Sequence, residues 1–401
     1  MNIKMKQILF YYFILCLPGF AFSGSQYAPH LSGADLSILW VIPFIGILLS
    51  IAIFPLVAPH FWHKNFGKVS LFWAVSLLIP LLINHNIGAS ITFYEVLHVG
   101  LLEYIPFIIL LLALFTISGG VQLTGTLVGK PIINVIIIFI GTILASWMGT
   151  TGAAMLLIRP LIRANKDRKY KVHTIVFFIF LVANIGGSLT PLGDPPLFLG
   201  FLKGVSFFWT TSAMLMPMIM VVCYLIIIYF LMDSYYYKKE DLPLTSSQED
   251  GKDQKLGLEG SFNLLLLLGV ISSVLLSGFW RPHIHYTVYH VPIELQNLTR
   301  DILLLLLTFV SWKVTPRKIR QANEYTWFPI VEVAKLFAGI FITIIPAIAI
   351  LKAGTNGALA GIIQSVSDDS GPVNYMYFWL TGILSSFLDN APTYLVFFNT
   401  A

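Results

Sequence analysis

Residues 182–200 read VANIGGSLTPLGDPPLFLG, and this stretch decides the fold. Four glycines and three prolines interrupt an apolar segment of membrane-spanning length, and no continuous helix holds so many comfortably. The helix is therefore predicted to break here. In lipid, freed backbone groups are tolerated only where they are buried in protein or line a water-filled cavity. A break at this depth thus indicates an ion or substrate site.

The break also carries polar side chains. Asp194 is a carboxylate within the membrane, which is costly enough to indicate a functional role. Asn184, Ser188 and Thr190 add amide and hydroxyl oxygens. The alternative is an ordinary loop at the end of a short helix, but the apolar run LFLGFL resumes directly after Pro196 and favours a broken span.

Composition sets the class of protein. Over 401 residues, 57% are hydrophobic and only 11% are charged, with a mean hydropathy of +0.82, which excludes a soluble globular protein. The apolar runs are long and do not alternate as barrel strands do, so an all-α polytopic membrane protein is predicted. The net charge of +5 reflects loop residues that orient helices and does not indicate nucleic-acid binding. Cys16 and Cys223 lie in apolar runs and define neither a disulfide nor a metal site.

The chain divides at its one long polar segment. Residues 1–25 are predicted to form a signal peptide, with an uncleaved first helix as the alternative. The remaining domains are N-terminal scaffold helices at 26–90, a first transport repeat at 91–232, a cytoplasmic linker at 233–261 and a second repeat at 262–401. Spans are predicted at 37–58, 69–85, 99–118, 173–202 (broken), 207–232, 262–279, 298–312 and 336–351.

Loop charges predict how the chain crosses the membrane. Basic clusters at Lys130 and at 159–171 flank the apolar stretch 131–162, and positively charged loops are retained in the cytoplasm. A crossing between these clusters would put them on opposite faces. Residues 131–162 are therefore predicted to enter the membrane and return as a re-entrant hairpin, with its tip near 147–152 (WMGTTG).

The two halves of the chain echo each other. SWMGTTGA at 146–153 aligns without gaps on SFLDNAPT at 386–393. The second motif lies in another apolar stretch, 373–401, which should form a hairpin entered from outside. Related units of opposite orientation make an inverted repeat, the usual plan of a secondary transporter with a site near the bilayer midplane. Coincidence between two apolar turns is the alternative.

These motifs carry a resemblance to a known superfamily. ANIGGSLTPLGDPP at 183–196 and SSFLDNAPTYLV at 385–396 resemble the ion-transporter superfamily, which includes NhaD-type sodium/proton antiporters, arsenite pumps, citrate/metal carriers and divalent-anion/sodium symporters. The resemblance covers about residues 90–401. It implies two re-entrant tips and two unwound helices around the cation and substrate, with elevator-like movement in a homodimer.

The resemblance also has two departures. The first tip reads Gly149-Thr150-Thr151, where the antiporters tend to carry Asp-Asn and the anion symporters Ser-Asn-Thr. The chain ends at Ala401, within the second predicted hairpin, so it is expected to be a fragment that lacks the second broken helix. The alternative is a site built without that second broken helix.

Candidate binding residues follow from the motifs and their oxygen-rich chemistry. Asp194 and Asp389 are the candidate ligands of a sodium-type cation, while the full set of ion or substrate contacts also includes amides, hydroxyls and one glycine. The set is Thr150, Thr151, Asn184, Ser188, Thr190, Gly193, Asp194, Ser386, Asp389, Asn390 and Thr393.

Hard oxygen ligands suit a sodium-like cation, and a buried Asp that releases the cation can take up a proton. This chemistry favours sodium/proton antiport. Symport of citrate, a dicarboxylate or metal-citrate, coupled to sodium or protons, is the alternative. An intramembrane hydrolase is disfavoured because neither HExxH nor GxSxG occurs.

No cofactor is expected apart from the transported or coupling sodium ion and protons. The expected partners are the lipid bilayer, a small ion or carboxylate, and a second copy of the chain. The expected location is the inner membrane, crossed several times.

Overall fold

The structure is a computed structural model that describes residues 28–240, 256–368, 371–386, 388 and 390–399. The predicted signal peptide, the middle of the predicted linker and Asp389 lie outside the described residues. Within the described chain, the helices are α1 Ile42–Val57, α2 Pro59–Ile83, α3 Gly88–Val99, α4 Ile105–Ser118, α5 Pro131–Met148, α6 Thr150–Ala164, α7 Val172–Phe178, α8 Pro195–Leu202, α9 Trp209–Lys239, α10 Phe262–Phe279, α11 Leu295–Val314, α12 Arg317–Ala322, α13 Phe328–Thr343, α14 Ile345–Lys352, α15 Ala360–Val366, α16 Asn374–Ser385 and α17 Asn390–Phe398.

Three short antiparallel pairs are the strands of the described chain. They are β1 Gln122–Thr124 with β2 Gly257–Glu259, β3 His285–Val288 with β4 Val291–Glu294, and β5 Ser367–Asp368 with β6 Gly371–Pro372. Six helices of the described chain are long and apolar enough to span a membrane, by length and composition. The prediction of an all-α polytopic membrane protein is thus confirmed.

Several spans extend beyond their predicted bounds. α2 begins ten residues before the predicted 69, because the lysines and histidines of its first turns do not interrupt a helix at a membrane interface. The span predicted at 99–118 is continuous over Gly88–Ser118, with a π-turn at Gly100–Tyr104 joining α3 to α4. Glu103 therefore lies at the middle of a 31-residue helix rather than near its start.

Two other predicted bounds differ from the structure. The span predicted at 336–351 begins at Phe328 and bends by 41° between α13 and α14, where Pro346 cannot continue the backbone hydrogen bonding. α9 continues to Lys239, so the first residues assigned to the linker are helical.

The first hairpin is present. Only Gly149 separates α5 from α6, and its φ of +79° is a conformation that favours glycine. At the base, the Gly129 amide donates to the Ala164 carbonyl at 2.8 Å. The side-chain amides of Asn134 and Asn165 exchange hydrogen bonds of 2.9 and 2.8 Å. The two arms therefore start and finish at the same end, as the loop charges predicted.

A buried ionic cluster fixes this base to α9. Asp233 is fully buried and accepts from Arg168 at 2.7 Å and from Asn134 at 3.0 Å, while the His173 ring lies 2.8 Å away. Arg168 also pairs with Glu240 at 2.9 Å. Removing one partner would leave a buried charge uncompensated, so the hairpin base and α9 are held as one body.

The hairpin predicts a specific labelling pattern. Single cysteines at Lys130 and Lys169, both exposed, should react with a membrane-impermeant maleimide only from the cytoplasmic side, in a protein whose Cys16 and Cys223 are serine. Lys169 is used because Arg168 is buried in the ionic cluster. Labelling of the two positions from opposite sides would contradict the hairpin.

The broken span has the predicted form. α7 passes into a π-turn at Ile179–Asn184 and a 3-10 turn at Ile185–Gly187, and α8 starts only at Pro195. The glycines and prolines of the motif thus unwind the backbone where the sequence indicated.

The second hairpin packs against α8, the second half of this broken span. α16 and α17 run antiparallel, with the Tyr377 and Phe397 rings 5.9 Å apart. α17 packs on α8 so closely that a Cβ at Gly200 would overlap the Tyr394 hydroxyl. The return helices α6 and α17 begin at Thr150 and Asn390, which are the same position in the gapless alignment of the two motifs.

A polar cluster joins the ends predicted to be cytoplasmic. Asn263 at the start of α10 donates to the Gly120 carbonyl and to the Thr315 hydroxyl, both at 2.9 Å. Arg320 donates to the Thr116 carbonyl at 3.0 Å, and the Asn323 amide donates to the Val121 carbonyl at 2.8 Å. The ends of α4, α10 and α11 therefore lie on one side, in agreement with the charge-based topology.

Candidate functional site

The first hairpin tip is interlocked with the broken span. The Thr150 amide donates to the Gly193 carbonyl at 3.1 Å, and the Ser146 hydroxyl donates to the Gly186 carbonyl at 2.5 Å. The Thr190 hydroxyl donates to the Ser146 carbonyl and accepts from the Leu192 amide at 3.2 Å. These bonds satisfy backbone groups that the break frees, as a non-helical segment within a membrane requires.

The glycines of the motif allow this close approach. A Cβ at Gly193 would overlap the Gly187 carbonyl, and a Cβ at Gly186 would lie 2.7 Å from the Thr142 carbonyl of α5. The unwound backbone therefore folds on itself and on the hairpin with no room for side chains. Glycine is needed at these positions for space.

The polar residues predicted in the break have different surroundings. Thr190 is 1% exposed and its hydroxyl is committed to the tip, so it positions the break. Asn184 is exposed, and its amide donates to the Ile179 carbonyl at 2.9 Å within the π-turn. The Ser188 hydroxyl oxygen is buried and has no hydrogen-bond partner among the described residues. A buried unpaired hydroxyl in a native site calls for a ligand or an ordered water.

Asp194 is half-buried and occupies the N-cap position of α8, where its backbone is extended. Its neighbour Pro195 takes the first helical position, where proline is well tolerated. Asp194 therefore marks the point where the unwound segment ends and the half-helix α8 begins.

A cavity of about 110 Å³ lies at the first tip. One wall holds Gly149, Thr150, Thr151 and Gly152, which form the turn and the start of α6. Backbone amides in the first turn of a helix point along its axis and attract negative charge. Thr150 is half-buried and Thr151 exposed, and both residues line the cavity. The described residues that line this cavity include no lysine, arginine or histidine.

The opposite wall of the cavity shows where the tip lies along the neighbouring helices. It consists of the last turns of α4, from Leu111 to Phe115, and the first turn of α13, from Pro329 to Val333. Ser118 donates to the Met148 carbonyl at 3.3 Å, which fixes the tip to the end of α4. The first tip is thus nearer to the end of α4 and the start of α13 than to the midpoint of the long Gly88–Ser118 helix.

The second tip contributes fewer described groups. Ser386 and Asn390 are exposed, while Thr393 is 2% exposed within α17. Asp389, the predicted second carboxylate, lies outside the described residues. The packing of α17 on α8 brings the helix that starts at Asn390 alongside the helix capped by Asp194.

Two further contributors were not among the predicted site residues. Ser146 stands within the quoted motif, but only its bond to Gly186 reveals that it holds the break. Glu103 lies in the π-turn, is 8% exposed and pairs at 2.7 Å with Lys203, directly after α8. A π-turn often marks a functional site, and this one joins the long helix to the broken span. No described group of His, Cys, Asp or Glu is arranged to hold a metal ion.

Comparison with protein families gives a match over residues 33–401, to a family described as "Putative citrate transport". The chain belongs to this family. The citrate-transporter branch of the predicted resemblance is therefore confirmed. No match was found among curated proteins or among solved structures.

Membership in the citrate-transport family agrees with the multi-pass helical fold. The protein is a secondary transporter of the membrane and not an enzyme. The match includes both tips and the broken span, so the whole candidate site lies within the family region.

Proposed function

We propose that the protein carries a citrate-like carboxylate together with a cation across the inner membrane. One observation carries this proposal: the first tip presents helix-end amides and threonine hydroxyls, while the adjoining break presents unwound carbonyls, Ser188 and Asp194. The first set suits a carboxylate and the second a hard cation. Secondary transporters divide the two charges in this way, with half-helix amide ends toward the anion and unwound carbonyls toward the cation.

The charge balance favours a paired cargo. A free tricarboxylate would be repelled by Asp194, and the described cavity wall offers no basic side chain to compensate. A sodium ion beside Asp194, or a divalent cation carried as metal-citrate, removes that repulsion. The small cavity can hold one carboxylate group of such a substrate, and family membership supports citrate as its class.

Alternating access supplies the transport step. The first tip lies beside the cytoplasmic ends of α4 and α13, which fits an inward-facing arrangement. The ionic cluster at Asp233 holds α9 and the hairpin base together, which fits a unit that moves as one body. We infer an elevator-like movement of this unit within a homodimer.

Sodium/proton antiport is the second candidate. It is favoured by a half-buried acid, Asp194, in a site whose described wall lacks basic residues. In this mechanism the carboxylate binds sodium or a proton alternately, and no organic anion moves.

Reconstituted liposomes separate the two candidates. We expect radiolabelled citrate to accumulate when an inward sodium gradient or external magnesium is supplied, and the lumenal pH to stay constant when sodium is added without citrate. Sodium-driven proton movement without uptake of any carboxylate would establish antiport instead. An Asp389→Asn variant sharpens the result, because an antiporter should lose sodium affinity strongly, whereas a symporter should retain substantial citrate uptake.

A further inference from the structure

A second cavity lies in a groove between α2 and α13, and its lining shares no residue with the tip cavity. Its volume is about 480 Å³, and three lysines from the two helices line it: Lys64, Lys68 and Lys335. All three are exposed residues. The rest of the described lining is apolar or small and contains no acidic residue, namely Phe66, Gly67, Ser70, Leu71, Ala74, Ala338, Gly339 and Ile342.

The groove results from close packing of two parallel helices. The start of α13 lies beside α2, with the Phe328 ring 5.1 Å from His63. Further along, Ser70 donates to the Lys335 carbonyl at 2.7 Å, and a Cβ at Gly339 would overlap the Ser70 hydroxyl. The small residues at this contact leave a furrow on the outer surface, because no large side chain fills it.

The lysines lie at the cytoplasmic end of this furrow. Residues 59–68 precede the apolar part of α2, and the charge-based topology places Lys64 and Lys68 inside. The Trp312 and Trp327 rings lie 4.8 Å apart near the start of α13 and are each 42% exposed, which is typical of the membrane interface. Leu71 and Ile342 continue the furrow from this level into the hydrocarbon.

We propose that this groove binds the headgroup and first acyl carbons of an anionic phospholipid from the cytoplasmic leaflet. Three ammonium groups converge on one opening, which suits a phosphodiester, and basic pockets between membrane helices on this side attract anionic lipid. The apolar furrow below the opening suits an acyl chain. The orientation of the helices in the membrane requires only basic residues in the loops. It does not require that lysines from two helices distant in sequence line one groove.

The side-chain conformation of Lys335 fits this role. Its ammonium lies 5.6 Å from the centre of the Phe66 ring, and its side chain crosses Gly67 at 3.0 Å from where a Cβ would stand. The aliphatic stem is thus packed while the charge remains at the opening. Glu332, one turn earlier on α13, does not line the groove.

Native mass spectrometry of the purified full chain tests the proposal. With phosphatidylglycerol and phosphatidylcholine supplied equally, we expect at least roughly tenfold more adducts of the anionic lipid. The variant with Lys64, Lys68 and Lys335 all changed to Gln should lose this preference. A matched control with Lys166, Lys169 and Lys171 changed to Gln, three exposed cytoplasmic lysines, should keep it.

Two further arms identify the occupant. Ala338→Phe fills the furrow and leaves the lysines intact, so it should reduce lipid adducts without affecting charge. Changing the three lysines to Arg should preserve binding, and this variant covers the case in which the Gln variant folds poorly. An unchanged lipid preference in a folded Gln variant would overturn the proposal. Complete displacement of the lipid by millimolar inorganic phosphate would also overturn it, because the groove would then be a site for a free anion.

Discussion

An Asp194→Asn variant is expected to lose cation-coupled transport by about a hundredfold while remaining folded and inserted. A hundredfold loss corresponds to about 2.8 kcal/mol, which is the order expected when a charged ligand becomes neutral in a partly desolvated site. Asp194 is half-buried at the end of the unwound segment, beside the helix that starts the second half of the broken span. The amide of Asn keeps the shape of the side chain and one accepting oxygen, but it removes the charge and replaces the second oxygen with a donating NH2 group.

Uptake by reconstituted protein measures this loss, and thermal unfolding in detergent measures folding. Asp167→Asn is the matched control, because Asp167 is an exposed acid in the loop between α6 and α7 and its change should leave transport unchanged. If Asp194→Asn transports at a rate within a factor of two of the parent protein, Asp194 serves only as the N-cap residue of α8.

The second large effect is expected at Gly193. A methyl group there would overlap the Gly187 carbonyl. The methyl is fixed to its own Cα and the carbonyl belongs to the backbone, so neither group can rotate away. Gly193→Ala should therefore push Gly187 and Gly193 apart within the unwound segment. It should also break the hydrogen bond from the Thr150 amide to the Gly193 carbonyl. We expect transport to fall at least roughly tenfold, since displacements of about 1 Å at a site can cost a hundredfold.

Gly100→Ala is the control for this change. Gly100 lies in the π-turn with helical backbone angles, and a Cβ there would meet nothing within 4 Å. Its replacement should leave citrate uptake within a factor of two. Equal activity of Gly193→Ala and Gly100→Ala would show that the tight backbone contact is dispensable.

The sequence predicted best the features that are local. The break at 182–200 follows from glycines and prolines, which act on their own backbone, so α7, the unwound segment and α8 lie where expected. The first tip was predicted near 147–152, and the turn at Gly149 lies within that range. The opposite orientation of the two repeats remains a prediction.

Other features depended on tertiary contacts. The first turns of α2 looked too polar for a span, yet lysines at an interface extend their charges to water while the helix continues. Thr190 and Ser146 have equivalent hydroxyls, and only the fold shows that both hold the tip to the break. Lys335 lines the same groove as Lys64 and Lys68, although α13 is far from α2 in the sequence. No local pattern could therefore predict this arrangement.

The pairing of β1 with β2 indicates where the sequence can tolerate insertions and deletions. β2 follows the polar segment between the halves, and its register on β1 runs from Gln122 opposite Glu259 to Thr124 opposite Gly257. On the other side of that segment, Glu240 is held by Arg168. Both flanks are anchored by their own contacts, and doubling the length of a connecting loop costs only about 0.6 kcal/mol. Insertions and deletions can therefore accumulate in this connecting segment, because the contacts that anchor its two flanks do not depend on its length.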